Sequence, residues 1–124
     1  MVRVATALVI LVALEHVWFL VLEMFLWTRP IGLRVFRQSV EEARASAALA
    51  ANQGLYNGFL AAGLFWSLLP QPPEMAAALK VFFLSCVIAA GVAGALTVSF
   101  RILLVQALPA VLALLAVFLS RPQP

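Results

Sequence analysis

Four long apolar runs, separated by short polar connections, restrict the possible folds of this chain more than any other feature. The runs cover about residues 4–27, 47–69, 76–100 and 102–119. A helix rises about 1.5 Å per residue, so about 20 apolar residues cross the hydrocarbon core of a bilayer. Because the connections are short, successive helices must run antiparallel. The sequence therefore predicts an all-α polytopic membrane protein, a single domain over residues 1–124 built as an antiparallel four-transmembrane-helix bundle.

The amino-acid composition excludes other classes of protein. Apolar residues make up 65% of the 124 residues, and charged residues only 10%. A soluble domain of this size buries about two thirds of the surface of its unfolded chain, so it would expose much of this apolar content to water. The net charge is +3, but eight Lys and Arg are too few to form a nucleic-acid-binding face. The single cysteine, Cys86, excludes an internal disulfide and a cysteine-based zinc site.

The distribution of basic residues predicts an orientation in the cell membrane. Loop one, residues 28–46, and the break before the fourth run together carry Arg29, Arg34, Arg37, Arg44 and Arg101. The other side carries Arg3, Lys80 and Arg121. Cytoplasmic loops are enriched in Lys and Arg, so we expect a multi-pass protein with loops one and three in the cytoplasm and both termini outside. Loop one also mixes apolar residues with charges, which is typical of an amphipathic segment at the membrane interface.

Three ionisable residues within the first apolar run indicate a functional site. These are Glu15, His16 and Glu23. An ionisable group at membrane depth costs on the order of 2–3 kcal/mol, and such groups commonly mark ligand or proton sites. His16 and Glu23 are seven residues apart and share a helix face, which Glu15 flanks. We predict that these three residues are candidate acid/base groups.

Amide and hydroxyl side chains in the later runs are predicted to complete an intramembrane pocket. The candidate ligand-binding residues are Asn52, Gln53, Tyr56, Asn57 and Gln106. Asn52 and Tyr56 share one helix face, and Gln53 and Asn57 share the adjacent one. Counted from the span centres, Asn57 lies near the midplane, and Glu23 lies about 11 Å towards loop one. An alternative for Asn57 and Gln106 is that their amides only hold helices together.

Four stretches of the chain resemble a known family. They are LEHVWF at residues 14–19, LEMFLWTRP at 22–30, ANQGLYNGFLAAG at 51–63 and VQALPA at 105–110. In this order they resemble the uncharacterised family of membrane proteins catalogued as domain of unknown function 1304. The resemblance implies a small integral membrane protein with four spans, and it implies no particular reaction.

Two classes of function fit these residues. The first is a small membrane enzyme or binding protein that acts on a lipophilic small molecule by acid/base chemistry, such as an isomerase, a hydratase or an epoxide-opening enzyme. The second is a proton-coupled small-molecule transporter that works as a dimer. A purely structural membrane protein is a further alternative, so the sequence leaves open whether the chain is an enzyme.

The expected partners are the lipid bilayer and a lipophilic small molecule, with no nucleic acid. No cofactor or metal is predicted, and a haem on His16 is an alternative in which this imidazole would be the single axial ligand. Di-metal carboxylate bundles need more than the one histidine of this chain. Small residues recur at four-residue spacing, as in Gly54, Gly58 and Ala62, and such Gly/Ala stripes allow close helix packing within one chain or in a homo-oligomer.

Overall fold

The computed structural model describes residues 1–120, and these residues are helical with no strand among them. The elements in chain order are α1 (Val2–Met24), α2 (Pro30–Phe36), α3 (Val40–Trp66), α4 (Pro73–Thr97), a π-helical segment (Leu103–Ala107) and α5 (Leu108–Leu119). The prediction of an all-α fold is confirmed. Arg121, which entered the charge comparison, lies outside the described residues.

Two helices, α1 and α4, are long and apolar enough to cross a membrane. The π-helical segment and α5 together form a shorter apolar helix, Leu103–Leu119. Helix α3 is the longest of the helices at 27 residues, but it carries three amide side chains along its middle. Length and apolar composition therefore mark two candidate spans.

The chain divides into two compact units. Within the described residues, unit 1 comprises residues 1–13 and 62–120, and unit 2 comprises residues 14–61. Helices α1 and α3 each continue from one unit into the other. Each unit has close helix contacts of its own.

In unit 2, the end of α1 packs against α3 at two glycines. A Cβ added at Gly54 would lie 2.6 Å from Met24 Cγ and 3.1 Å from Glu23 Cβ, and one at Gly58 would lie 2.7 Å from Leu20 Cδ1. Leu20 precedes Met24 in α1, whereas its partner Gly58 follows Gly54 in α3. The two helices therefore run antiparallel with closely approaching backbones.

The corner between α2 and α3 is defined by local backbone chemistry. Helix α2 ends at Phe36, and Arg37 after it has a left-handed conformation (φ 50°), an arrangement common after the last turn of a helix. Helix α3 then begins with a capping box: the Ser39 backbone N–H donates to Glu42 Oε2 (2.8 Å), and the Glu42 N–H donates to Ser39 Oγ (3.1 Å). This box starts α3 at Val40, so the helix begins seven residues before the apolar run at residue 47.

In unit 1, α4 packs against the π-helical segment and α5. A Cβ added at Gly91 would lie 2.8 Å from Ala107 Cβ, and one at Gly94 would lie 2.9 Å from Ile102 Cγ2. The π-helical segment precedes Pro109, which has no N–H to donate to the carbonyl four residues back. The residue before this proline, Leu108, donates its N–H to the carbonyl of Leu103, five residues back, which is the π-helical pattern.

The same unit contains a cavity of about 770 Å³ at one end of its helices. Val2 and Thr6 at the start of α1, Glu74 and Lys80 at the start of α4, and Ser120 after α5 are among the lining residues. Because the starts of α1 and α4 meet the end of α5 there, α5 runs opposite to both.

Candidate functional site

The second half of α1 carries the three predicted acid/base residues, and all of them belong to unit 2. Glu15 and Glu23 are half-buried, and His16 is fully buried. The structure gives the two carboxylates different surroundings.

Glu23 has a hydrogen-bond partner on α3. The side-chain amide of Asn57 donates through Nδ2 to Glu23 Oε1 at 2.7 Å, the short end of the range for such bonds. Gly54 and Gly58, on either side of Asn57 in the sequence, bring the α1 and α3 backbones together at this level. The glycine spacing therefore positions the bond, and Asn57 and Glu23 lie within about one helical turn of each other along the helix pair. Our placement of them 11 Å apart along the membrane normal was wrong.

That error has a physical reason. Centring each apolar run on the bilayer assumes that hydrophobic length alone sets the register of neighbouring helices. Here the contacts of Leu20 with Gly58 and of Glu23 with Gly54 set the register of α1 against α3. Side-chain packing thus determines the register of this pair.

Glu15 differs from Glu23 because one of its carboxylate oxygens has no partner. Oε2 of Glu15 is buried and makes no hydrogen bond within residues 1–120. An unsatisfied buried polar atom costs about 1–3 kcal/mol and is uncommon in folded proteins. A substrate or ligand atom at this position would remove that cost.

His16 follows Glu15 directly and is completely enclosed. Its side chain is 0% exposed, and its ring meets the edge of the Phe19 ring with centroids 5.3 Å apart. Within the described part of the chain, no group of three or more His, Cys, Asp or Glu residues is arranged to hold a metal ion. The side chains named so far offer carboxyl, imidazole and amide groups.

The predicted ligand-binding residues do not all approach the carboxylates. Of the predicted residues on α3, Asn57 is the one that hydrogen-bonds to a carboxylate within residues 1–120. Asn52, Gln53 and Tyr56 are exposed on the same helix. Gln106 belongs to unit 1, where it lies half-buried in the π-helical segment.

A polar contact that the sequence analysis missed lies beyond the end of α1. Trp27 donates through Nε1 to Ser46 Oγ at 3.1 Å, and Ser46 Oγ donates to the carbonyl of Glu42 at 2.8 Å. The Trp27 ring also packs against Phe36 of α2, with centroids 4.6 Å apart. The only sequence signal was the aromatic residue at the end of an apolar run, which identifies no partner. This contact fixes the start of α3 near the end of α1.

Comparisons with known proteins place the chain among proteins without an assigned activity. The family model described as "Protein of unknown function (DUF1304)" matches residues 10–118, a range that contains every candidate site residue. A protein of Lactococcus lactis subsp. lactis (strain IL1403), named uncharacterized protein YpaA, is 32% identical over 111 residues, which are 88% of this chain and 92% of that protein. No solved structure is significantly similar to the chain.

Proposed function

We propose a function for this chain, which belongs to the DUF1304 family of proteins of unknown function, from the chemistry of its own residues. The first part of the proposal is that it spans the cell membrane four times, through α1, α3, α4 and the Leu103–Leu119 helix. In their most apolar windows, only 28% of the residues of α1 and 17% of those of α4 are buried. A core helix of a soluble protein would be mostly buried, so this exposure favours lipid as the surroundings.

The proposal that α3 is also a span depends on its length. Its 27 residues extend about 40 Å, which exceeds the 30 Å hydrocarbon thickness. Three amide side chains lower its hydropathy, but Asn57 has a partner on α1. The four arginines of residues 28–46 are exposed before and at the start of α3, which supports a cytoplasmic loop one and outside termini.

The second part of the proposal is that Glu15, His16, Glu23 and Asn57 form an intramembrane site for a lipophilic small molecule. The single observation that carries it is the contrast between the carboxylates: Asn57 holds Glu23, whereas a buried oxygen of Glu15 has no partner. A structural network would be expected to pair both. Glu15 is therefore the group available to a bound molecule.

We assign the residues roles in acid/base chemistry. Glu15 transfers a proton to or from the substrate, and Glu23, fixed by Asn57, provides a second, oriented carboxyl group. His16, adjacent to Glu15 and enclosed, supports that proton exchange. Isomerisation, hydration or opening of an epoxide needs only an acid and a base within reach of one bond, which the adjacent Glu15 and His16 provide. The bilayer supplies the route for a lipophilic substrate.

The test compares two conservative variants in lipid nanodiscs. Native mass spectrometry would identify small molecules retained by the purified protein, and thermal unfolding would report stability. We expect a retained lipophilic molecule in the wild type that Glu15→Gln loses, with only the small fall in unfolding temperature that loss of a bound ligand brings. The exposed Glu41→Gln at the start of α3 is the matched control and should retain the molecule.

Two outcomes would contradict the site. If Glu15→Gln and Glu23→Gln both match the wild type in retained mass and in unfolding temperature, neither carboxyl group binds a ligand. If Glu15→Gln instead unfolds at a much lower temperature, Glu15 is a structural residue.

A proton-coupled transporter is the second candidate, favoured by the exposed polar side chains of α3, which suit a dimer. Here, protonation of Glu15 would compete with binding of a cationic substrate. Proteoliposomes that contain ethidium as a lipophilic cation would test this: proton-driven ethidium movement should occur with wild-type protein and vanish in Glu15→Gln. Absence of ethidium-driven proton flux with wild-type protein would reject this candidate.

A further inference from the structure

One exposed side of α3 carries a regularly spaced row of large side chains, which we call the α3 seam. It consists of Leu49, Asn52, Tyr56 and Phe59, separated by three, four and three residues. Leu49, Tyr56 and Phe59 are 65%, 54% and 56% exposed, and Asn52 is also exposed. Alternating three- and four-residue spacing is the pattern with which a helix packs against a parallel helix in a coiled coil.

The polar side chains of the seam have no hydrogen-bond partner within residues 1–120. Neither the Asn52 amide nor the Tyr56 hydroxyl makes a hydrogen bond there, and the same holds for the neighbouring Gln53. Lipid tails offer no donor or acceptor, so an unpaired amide in the hydrocarbon region is costly. Polar residues in membrane helices commonly satisfy this need across a helix–helix interface.

The seam is distinct from the side of α3 that packs within unit 2. That packing side carries Gly54, Asn57 and Gly58, which contact α1. At 3.6 residues per turn, Asn52 and Tyr56 lie about 140° and 100° around the helix from Asn57. Helix α3 therefore has one side engaged by α1 and another side with no partner in the described chain.

The small-residue stripes are already filled by neighbours in the same chain. Gly54 and Gly58 face α1, the ring of Phe83 fills the space beside Gly63, and Ala107 and Ile102 do so for Gly91 and Gly94. This leaves the seam, rather than a glycine stripe, as the surface with unmet hydrogen-bonding capacity.

We propose that the α3 seam binds the α3 seam of a second copy of this chain, forming a parallel, two-fold symmetric dimer in the membrane. The inference rests on the proposed assignment of α3 as a membrane span. A two-fold axis along the membrane normal places Asn52 opposite the same residue of the second copy. A carboxamide both donates and accepts, so two identical amides complement each other. The Tyr56 and Phe59 rings, in edge contact with centroids 5.9 Å apart, add apolar area beside the amides.

Disulfide crosslinking in native membranes tests the dimer, because the chain has only one cysteine to remove. In a Cys86→Ser background, Leu49→Cys and Phe59→Cys place single thiols on the seam. Leu96→Cys is the matched control, since Leu96 is 82% exposed on α4. We expect a crosslinked product with twice the chain mass from both seam variants, at least about fivefold more than from the control.

Several results would overturn the proposal. These are equal crosslinking of seam and control variants and a product whose mass requires a different protein. When the two seam variants are co-expressed, a 49-to-59 product in excess over the 49-to-49 and 59-to-59 products would also overturn it, because it indicates antiparallel helices. Labelling of Leu49→Cys and Phe59→Cys by a membrane-impermeant maleimide would do the same, because the seam would then lie in water.

A second measurement isolates the amide. Photobleaching of single labelled molecules in nanodiscs counts copies, and we expect Asn52→Leu to lower the dimer-to-monomer ratio by about threefold or more. Asn52→Gln, which keeps a carboxamide, should preserve most of the dimer. An unchanged ratio in Asn52→Leu would contradict the proposed amide pairing.

These readouts are independent of the ligand site. Glu15→Gln should dimerise like the wild type, and Asn52→Leu should keep its retained small molecule if each monomer has a complete site. Loss of crosslinking with normal ligand retention would reject the dimer alone, and the reverse would reject the site alone.

Discussion

The α1–α3 contact of unit 2 and the contact of α4 with residues 102–107 in unit 1 bring helices together by the same means but carry different chemistry. In both, glycines allow close approach of the backbones. At Gly91 and Gly94 the facing residues are the apolar Ala107 and Ile102, whereas beside Gly54 the facing residues include Glu23, which bonds to Asn57. The contact of α4 with residues 102–107 forms with apolar side chains beside its glycines. Close helix packing in this protein therefore does not require a carboxylate such as Glu23.

The largest effect that would test this comparison is expected at Gly91. An added Cβ would lie 2.9 Å from the backbone nitrogen of Ala107, which cannot move independently of its helix. Gly91→Ala should lower the free energy of unfolding by about 2–3 kcal/mol. At Gly54, the nearest atom is Cγ of the flexible Met24 side chain, so Gly54→Ala should cost less, about 1 kcal/mol.

Unfolding in mixed micelles with increasing dodecyl sulfate would measure both free energies. Equal losses for the two alanine variants would show that the contact of α4 with residues 102–107 is no more rigid than the α1–α3 contact.

A double-mutant cycle would measure the polar bond that distinguishes the first pair. Glu23→Ala and Asn57→Ala, singly and together, should show a coupling of about 1–2 kcal/mol in the free energy of unfolding, since the bond is short and half-buried. The corresponding cycle between Glu15→Ala and Asn57→Ala is the control and should show coupling near zero. A coupling near zero for Glu23 and Asn57 would mean that the bond adds nothing to the packing at the glycines.

The smallest of these effects is expected at Glu15 and has the opposite sign. Glu15→Leu removes an unpaired buried oxygen and should raise the free energy of unfolding by about 1 kcal/mol. Glu23→Leu leaves Asn57 without its acceptor and should lower it. The same micelle titration would compare the two variants, and a loss of stability in both would remove the distinction between the carboxylates.

Sequence patterns predicted the elements of the fold better than their contacts. Prolines at positions 30 and 73 are the first residues of α2 and α4, because proline fits the first turn of a helix. The third apolar run, by contrast, predicted a start at about residue 76, three residues later than α4 begins. The capping box that starts α3, formed by Ser39 and Glu42, is also a local signal. The prediction instead followed the apolar run, which starts at residue 47.

Side-chain contacts were less predictable because they depend on the register between helices. Glu23 and Asn57 were both predicted as site residues, yet hydrophobic length could not place them within hydrogen-bonding distance of each other. Likewise, Asn52 and Tyr56 were correctly separated from Asn57 by helical periodicity, but periodicity does not say which side of a helix faces a neighbour. Only the glycine contacts identify the packed side.

The π-helical segment changes which residues of the last helix share a face. Ile102 and Ala107 are five residues apart, a spacing that an α-helix would direct about 140° apart, yet both contact glycines of α4. The wider turn between them acts as a one-residue phase shift. A helical wheel drawn through residues 102–119 without this shift assigns residues to the wrong faces. Deletion of one residue between Ile102 and Ala107 would leave Ile102 four positions before Ala107, so a regular α-helix would keep both on the side that faces α4.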